Sequence, residues 1–296
     1  MLFGVAMALL ASLGWAVSSI IVKLLTERID TLSINTLRLW IGTVLLIAFI
    51  VLSGKSSAVF DVPLQSLTYV IISGILAMAI GDTIYIRSLS MLDASVAFPI
   101  AQCAFVVMAG VVAILWLDEP YTWLTVVGAI LVMSGIYLIA TAGGKAGTAG
   151  LGTVSKTGVA VTLFAAAIWT GSTVTLKIGS EDLDAFVVAT IRITVSAAVL
   201  TLLSLLRHRR RTLPLKEYGL KTFLLVAAAG TLSYGVAAVS FVLAIQMIGA
   251  GKTVLLTSTS PLFVLPFSIL FLKEKPSSAT IVGIATSVVG VYLVVV

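Results

Sequence analysis

GVAMALLASLGWAVSSIIVK (residues 4–23) returns, altered but recognisable, as GVAVTLFAAAIWTGSTVTLK (residues 158–177). Gly4-Val5-Ala6 matches Gly158-Val159-Ala160, Trp15 matches Trp169 and Lys23 matches Lys177. Further on Asp30 answers to Asp184 and Arg38 to Arg192, each pair 154 residues apart. Toward the end of each copy the offset becomes 155: Glu119 with Glu274, Val127-Gly128 with Val282-Gly283, Gly135 with Gly290, Tyr137-Leu138 with Tyr292-Leu293. One inserted residue accounts for the change. Only 10% of the residues are charged, so identities of Lys, Asp, Arg and Glu at a fixed offset mark an internal repeat rather than shared hydrophobicity.

The repeat sits in a chain of 296 residues, 60% of them hydrophobic, more than one water-soluble core needs. A bilayer is the expected solvent. A spanning helix takes about 20 mainly apolar residues to cross roughly 30 Å of hydrocarbon. Ten such stretches are expected, near 3–23, 33–53, 67–89, 95–116, 122–141, 157–177, 184–206, 221–247, 252–272 and 278–296. The first lacks a basic leader and a small-residue cleavage site and recurs in the second copy, so it reads as a retained helix. Five helices per copy is an odd number, so the second copy enters the membrane from the opposite side. The predicted fold is therefore an all-α membrane protein of ten transmembrane helices, built as two inverted five-helix repeats: 1–142, a Gly-rich linker at 143–156, and 157–296. The linker region, AGGKAGTAGLGTVSK (residues 142–156), has the composition of a flexible tether. Inverted repeats recur in secondary transporters, whose sites lie near the midplane between the copies.

With this repeat, a tryptophan near the middle of each copy's first helix, and Pro261 to Leu272-Lys273-Glu274 followed by Val282-Gly283 and Val289-Gly290-Val291-Tyr292, the chain resembles the EamA family of the drug/metabolite transporter superfamily. The resemblance covers essentially the whole length. It implies a ten-helix, exporter-like carrier of amino acids, related metabolites or drugs. Two departures stand out. Val106 occupies the place of Pro261 in the first copy, which carries Pro99 earlier instead, so the fourth and ninth helices are expected to bend at different depths. In the related small multidrug transporters an acidic residue falls where Trp15 stands here, so proton exchange through that carboxylate does not carry over.

Trp15, Ser19 and Lys23 are spaced i, i+4, i+8, as are Trp169, Thr173 and Lys177, which puts each trio on one helical face. A polar face in hydrocarbon turns toward protein or water, here a cavity with an indole from each copy; anchoring of the tryptophans by packing is the alternative. Asp82 stands deep in the third helix, where a carboxylate is costly, and the matching stretch 237–243 holds no acid. It is a candidate for solute or ion binding, with pairing to Arg38, Arg87 or Arg192 as the competing reading. Tyr85, at i+3 from Asp82, offers a ring and a hydroxyl. Gln102, Tyr234 and Ser258 join the candidate lining, Ser258 lying within Thr257-Ser258-Thr259-Ser260-Pro261; Ser and Thr there have their own helix backbone as the alternative partner.

Arg38 and Arg192 read as ion-pair or coupling candidates within reach of Asp30 and Asp184, with structural pairing favoured. Glu119 and Glu274 read as cap or ion-pair residues, with gating as the lesser alternative. Gly128, Gly135, Gly283 and Gly290, seven apart in each copy, make a smooth strip expected to join the fifth helix to the tenth. A single cysteine (Cys103) and a single histidine (His208) leave no dedicated metal site, and no cofactor is implied.

Net charge is +6, yet it gathers in one loop, Arg207-His208-Arg209-Arg210-Arg211 with Lys216 and Lys221, which is a topology signal and not a nucleic-acid surface. The charge rule puts that loop in the cytoplasm and both termini outside, whereas the family resemblance puts the termini inside. No GxxxxGK[ST] motif is present, so an ATP-driven pump is not expected. An intramembrane protease is disfavoured because Asp82 lacks a second facing acid and Gly171-Ser172 lacks a histidine base. The expected protein is a secondary carrier working by alternating access, a monomer of the cytoplasmic membrane if prokaryotic, with aromatic or hydrophobic amino acids as preferred solutes. A lipid or drug flippase and a membrane scaffold stand as alternatives.

Overall fold

Asp30 and Asp184, the repeated acids, fix where helices begin. Asp30 accepts a hydrogen bond from the Ser33 amide (3.0 Å), and Asp184 from those of Phe186 (2.9 Å) and Val187 (3.3 Å). Each relieves backbone N–H groups that have no partner within the first turn. In the computed structural model, which describes residues 1–26, 29–89, 91, 94–117, 121–143, 155–207, 219–260, 263 and 278–295, all regular structure is helical.

The first copy holds α1 (Leu2–Thr26), α2 (Thr31–Leu52), a one-turn α3 (Ser56–Phe60), then α4 (Leu64–Gly74) running through a π-helical stretch at Ile75–Gly81 into α5 (Asp82–Leu89). It continues with α6 (Ala94–Trp116) and α7 (Trp123–Gly143). The second copy holds α8 (Lys156–Gly179), α9 (Ala185–Arg207), α10 (Gly219–Gly230), a π-helical stretch at Thr231–Ala237 leading into α11 (Ala238–Ile248), α12 (Ala250–Thr257) and α13 (Ser278–Val295). Gly249, at φ +86°, separates α11 from α12, a backbone angle that glycine adopts without strain.

Among the described residues, five stretches are long and apolar enough to cross a bilayer: Leu32–Leu52, Leu64–Tyr85, Lys156–Gly179, Ala185–Leu206 and Gly219–Ile248. Leu2–Ser18, Ile100–Trp116, Trp123–Gly135 and Ile281–Val294 are shorter apolar helices. The second half of the expected ninth span, from Pro261 onward apart from residue 263, lies outside the described residues, as do Glu274, Glu119, His208, Arg209 to Lys216 and the tether from 144 to 154. Val44, Val51, Leu52, Leu115, Leu202 and Leu206 all point outward, which suits lipid as the surrounding medium. Inside, Leu39, Val70, Leu176, Val188, Ile193, Ala237 and Ile245 form a sealed core drawn from both copies.

Matching helices of the two copies pack against each other head to tail. On α2 and α9, Phe49 stacks on Phe186 (4.2 Å between ring centroids), while the Trp40 indole donates to the Thr201 hydroxyl (2.9 Å). Residue numbers rise along one helix as they fall along the other, so the pair is antiparallel. The same holds for α7 and α13, where Gly128 faces Gly290 and Val294 while Gly135 faces Gly283 and Ser287. The glycine strip thus joins the fifth helix to the last, as the spacing leads one to expect.

Each first helix also lies along the third span of the opposite copy. Gly4 abuts Met247 and Ile248, and the Ser18 hydroxyl donates to the Ala229 carbonyl (3.1 Å). In mirror fashion Gly179 abuts Tyr69, and Ser172 donates to the Ser73 carbonyl (2.8 Å). Gly74 rests on the backbone of Arg192 and Gly230 on that of Arg38. Both π-helical stretches and these two glycines correspond at an offset of 156, not 154. A single insertion therefore does not describe the relation between the copies: the second gains two residues ahead of its third span and loses one after it.

Candidate functional site

The π-helical stretch at Ile75–Gly81 ends with the Asp82 amide bonded to the Ala77 carbonyl, five residues back. Bonding five residues back instead of four widens the turn and so resets the direction of the helix beyond it, which opens with Asp82. Asp82 Oδ1 accepts a hydrogen bond from Nε1 of Trp169 on α8 (3.1 Å), a contact made across the two copies. Gly81 makes it possible, because a Cβ there would lie 2.6 Å from the Trp169 ring. The indole is enclosed by Tyr85 (5.2 Å between centroids, tilted) and by Phe105 of α6 (5.9 Å, edge-on). Gln102, half-buried, sits one turn before Phe105 on the same face.

The second copy repeats this geometry without the charge. Trp15 lies against Phe241 (5.2 Å), the residue that corresponds to Tyr85 at the offset of 156. Ala238 occupies the place of Asp82. One copy therefore presents a carboxylate, a phenol and an indole where its mate presents alanine, a phenyl ring and an indole.

Arg38 does not pair with Asp30, as its position in the sequence favoured. One of its Nη atoms donates to the hydroxyls of Ser18 (3.2 Å) and Ser233 (2.6 Å), and the guanidinium lies over the Tyr234 ring (5.1 Å). Its charge acts on both Asp82 and Tyr234. Tyr234 is buried and donates its hydroxyl to Asn35 (2.7 Å), whose amide donates in turn to the Met78 carbonyl (3.3 Å) in the first copy's π-helical stretch. Asn35 escaped the sequence reading. Its signal was the one that revealed Asp82: a polar residue in an apolar span whose counterpart, Ala189, is not polar.

Asp184 bonds to Lys55 (2.5 Å) instead of Arg192. Partial burial pushes its carboxyl up, but the Lys55 ammonium and the amides of Val187 and Phe186 outweigh that and hold it below the usual carboxylate range. Arg192 is buried, at 3% exposure, without an ion-pair partner among the described residues.

Several expected lining residues turn to their own helices. Thr173 donates to the Trp169 carbonyl (2.9 Å), and Ser258 to that of Leu255 (2.7 Å). Thr257, Thr259 and Ser260 do likewise, while Ser12 of α1 meets the Thr259 and Ser260 hydroxyls. The side chains of Ser19, Lys23 and Pro99 lie outside the described residues. The structure thus brings together Trp169, Asp82 and Tyr85, with Arg38 and Tyr234 linked to them electrostatically, and leaves Thr173 and Ser258 as backbone-satisfied hydroxyls. No group of three or more His, Cys, Asp or Glu side chains able to hold a metal is found among the described residues.

Comparison with known proteins agrees with this architecture. A protein of Archaeoglobus fulgidus described as an uncharacterized transporter is 25% identical over 289 residues, covering 98% of this chain and 96% of its own. A solved crystal structure shares the fold at a TM-score of 0.81 and 19% identity, covering 98% of this chain and 95% of the other. The profile of the EamA-like transporter family matches twice, over residues 2–141 and 156–296. The protein is a multi-pass membrane protein with two EamA repeats, and the chain belongs to the EamA-like transporter family.

Proposed function

We propose that this protein is a secondary carrier that exports small metabolites by alternating access, as a monomer, across ten membrane spans arranged as two inverted repeats divided at 143–156. The Trp169 to Asp82 contact carries the reading: it joins the first helix of one copy to the third span of the other, and its aromatic walls and carboxylate suit an ammonium-bearing, partly apolar solute. The antiparallel pairing of α2 with α9 and of α7 with α13 supports inversion, since matching elements of inverted halves run in opposite directions. Both halves of the cluster come from one chain, which supports a monomeric unit. The preferred solutes are aromatic or hydrophobic amino acids, and no enzymatic step is required of any residue.

Counterflow in liposomes tests this. Purified protein loaded with unlabelled phenylalanine, tryptophan or leucine is expected to accumulate the labelled amino acid transiently, without chemical change to it. Absence of counterflow for every amino acid, nucleoside and cationic drug tried would remove the carrier reading.

A further inference from the structure

Arg38 and Arg192 occupy the same place in the two copies, yet only the Arg38 guanidinium donates from a terminal nitrogen to described residues. Arg38 has the hydroxyls of Ser18 and Ser233, the face of Tyr234, and the charge of Asp82 in range. At the corresponding positions around Arg192, Ser172 exchanges hydrogen bonds with Ser73, while Ala77, Met78 and Ala238 stand where Ser233, Tyr234 and Asp82 stand around Arg38. Every group that compensates the first arginine is thus diverted or replaced around the second.

The result is a guanidinium at 3% exposure whose terminal nitrogens donate to none of the described residues; its Nε is sealed without a partner, as is that of Arg38, so the difference between the two lies at the terminal nitrogens. Arginine holds its proton, so the charge is not relieved by ionisation. A buried cation without a counterion is costly, and a purely structural arginine would be expected to carry the kind of shell that Arg38 has. The Arg192 backbone meanwhile packs directly on Gly74, at the mouth of the π-helical stretch that sets the position of Asp82, so the side chain springs from a rigid seam between the copies.

We propose that Arg192 is the docking point for an anionic group of the transported solute, a carboxylate, which supplies in the bound state the counterion that this copy lacks. The inference rests on the carrier reading above and deepens it by naming a chemical class. A planar guanidinium offers a carboxylate two parallel N–H donors, a geometry that neutral hydrogen-bonding groups do not reproduce.

The test uses full-length protein in a neutral detergent, with amino acids and their carboxamides as probes and the melting shift as the readout. Wild type is expected to bind at least one acid about tenfold or more tightly than its amide. Arg192→Gln is expected to erase that preference. Ala238→Asp, which places a carboxylate where Asp82 stands relative to Arg38, is expected to raise the melting temperature without solute and to weaken the acid about tenfold. Equal binding of acid and amide by wild type, no shift with any acid, or an Arg192→Gln protein that keeps the preference would each overturn the proposal. If Arg192→Gln does not fold, Ala238→Asp decides alone, and unchanged affinity for the acid overturns it. Counterflow judges the carrier reading separately: transport indifferent to the acid group removes the docking role alone, and acid-dependent binding without counterflow for any solute removes the carrier alone.

Discussion

Asp82 stands in the middle of an apolar span, where the hydrogen bond it accepts from the Trp169 N–H offsets part of the cost of burying a carboxyl group. Asp82→Asn separates charge from shape, since the amide oxygen still accepts from the indole. It is expected to melt close to wild type while the initial counterflow rate falls roughly tenfold or more, the worth of a charge-assisted contact; an unchanged rate would remove Asp82 from solute handling. Asp184 plays a different part, holding an exposed end of the bundle. Its folded pKa is below the unfolded value of about 3.9, so its contribution is present above that pH and is lost as pH falls through the folded value. Asp184→Asn is therefore expected to lower stability at pH 7 by about 0.5–1 kcal/mol, and the two melting curves should converge below about pH 4, as followed by thermal melts across pH. In sequence Asp82 was conspicuous because its counterpart is not acidic, whereas the Lys55 partner of Asp184 was hidden: the two residues are 129 apart and only the packing of α2 on α9 brings them together.

Among the helices, small residues decide who touches whom. A Cβ at Gly290 would stand 2.7 Å from both the Gly128 carbonyl and the Val132 amide, whereas one at Gly171 would meet only Leu76 at 3.9 Å. Gly290→Val is accordingly expected to destabilise the α7 to α13 pair by about 1–3 kcal/mol, measured as a lowered melting temperature. Gly171→Ala should be neutral or stabilising by up to about 1 kcal/mol, because alanine costs less entropy within a helix. The glycine strip was legible because a spacing of seven keeps residues on one face. The π-helical stretches were not, since the apolar run from 67 to 89 reads as one continuous helix and nothing in its hydrophobicity reports a carbonyl bonding five residues on instead of four.

Taken together, the two copies interlock: each first helix lies along the third span of the other, and matching helices pair antiparallel. Cysteines placed at Asp30 and at Asp184 in a Cys103→Ser background are expected to react with an impermeant maleimide from opposite sides of a sealed vesicle. Labelling of both from one side would rule out inversion. The sequence by itself determined the membrane setting, the helical class and the repeat, because lipid imposes apolar runs of fixed length and a duplicated unit keeps its rare polar residues in register. Only the tertiary structure decided which of those residues act together. Hydrophobic patterning specifies a face of a helix but not the neighbour it meets, and it was the close approach of α8 to the third span of the other copy that gave Asp82 its indole, gave Arg38 its shell by the same symmetry, and left Arg192 without one.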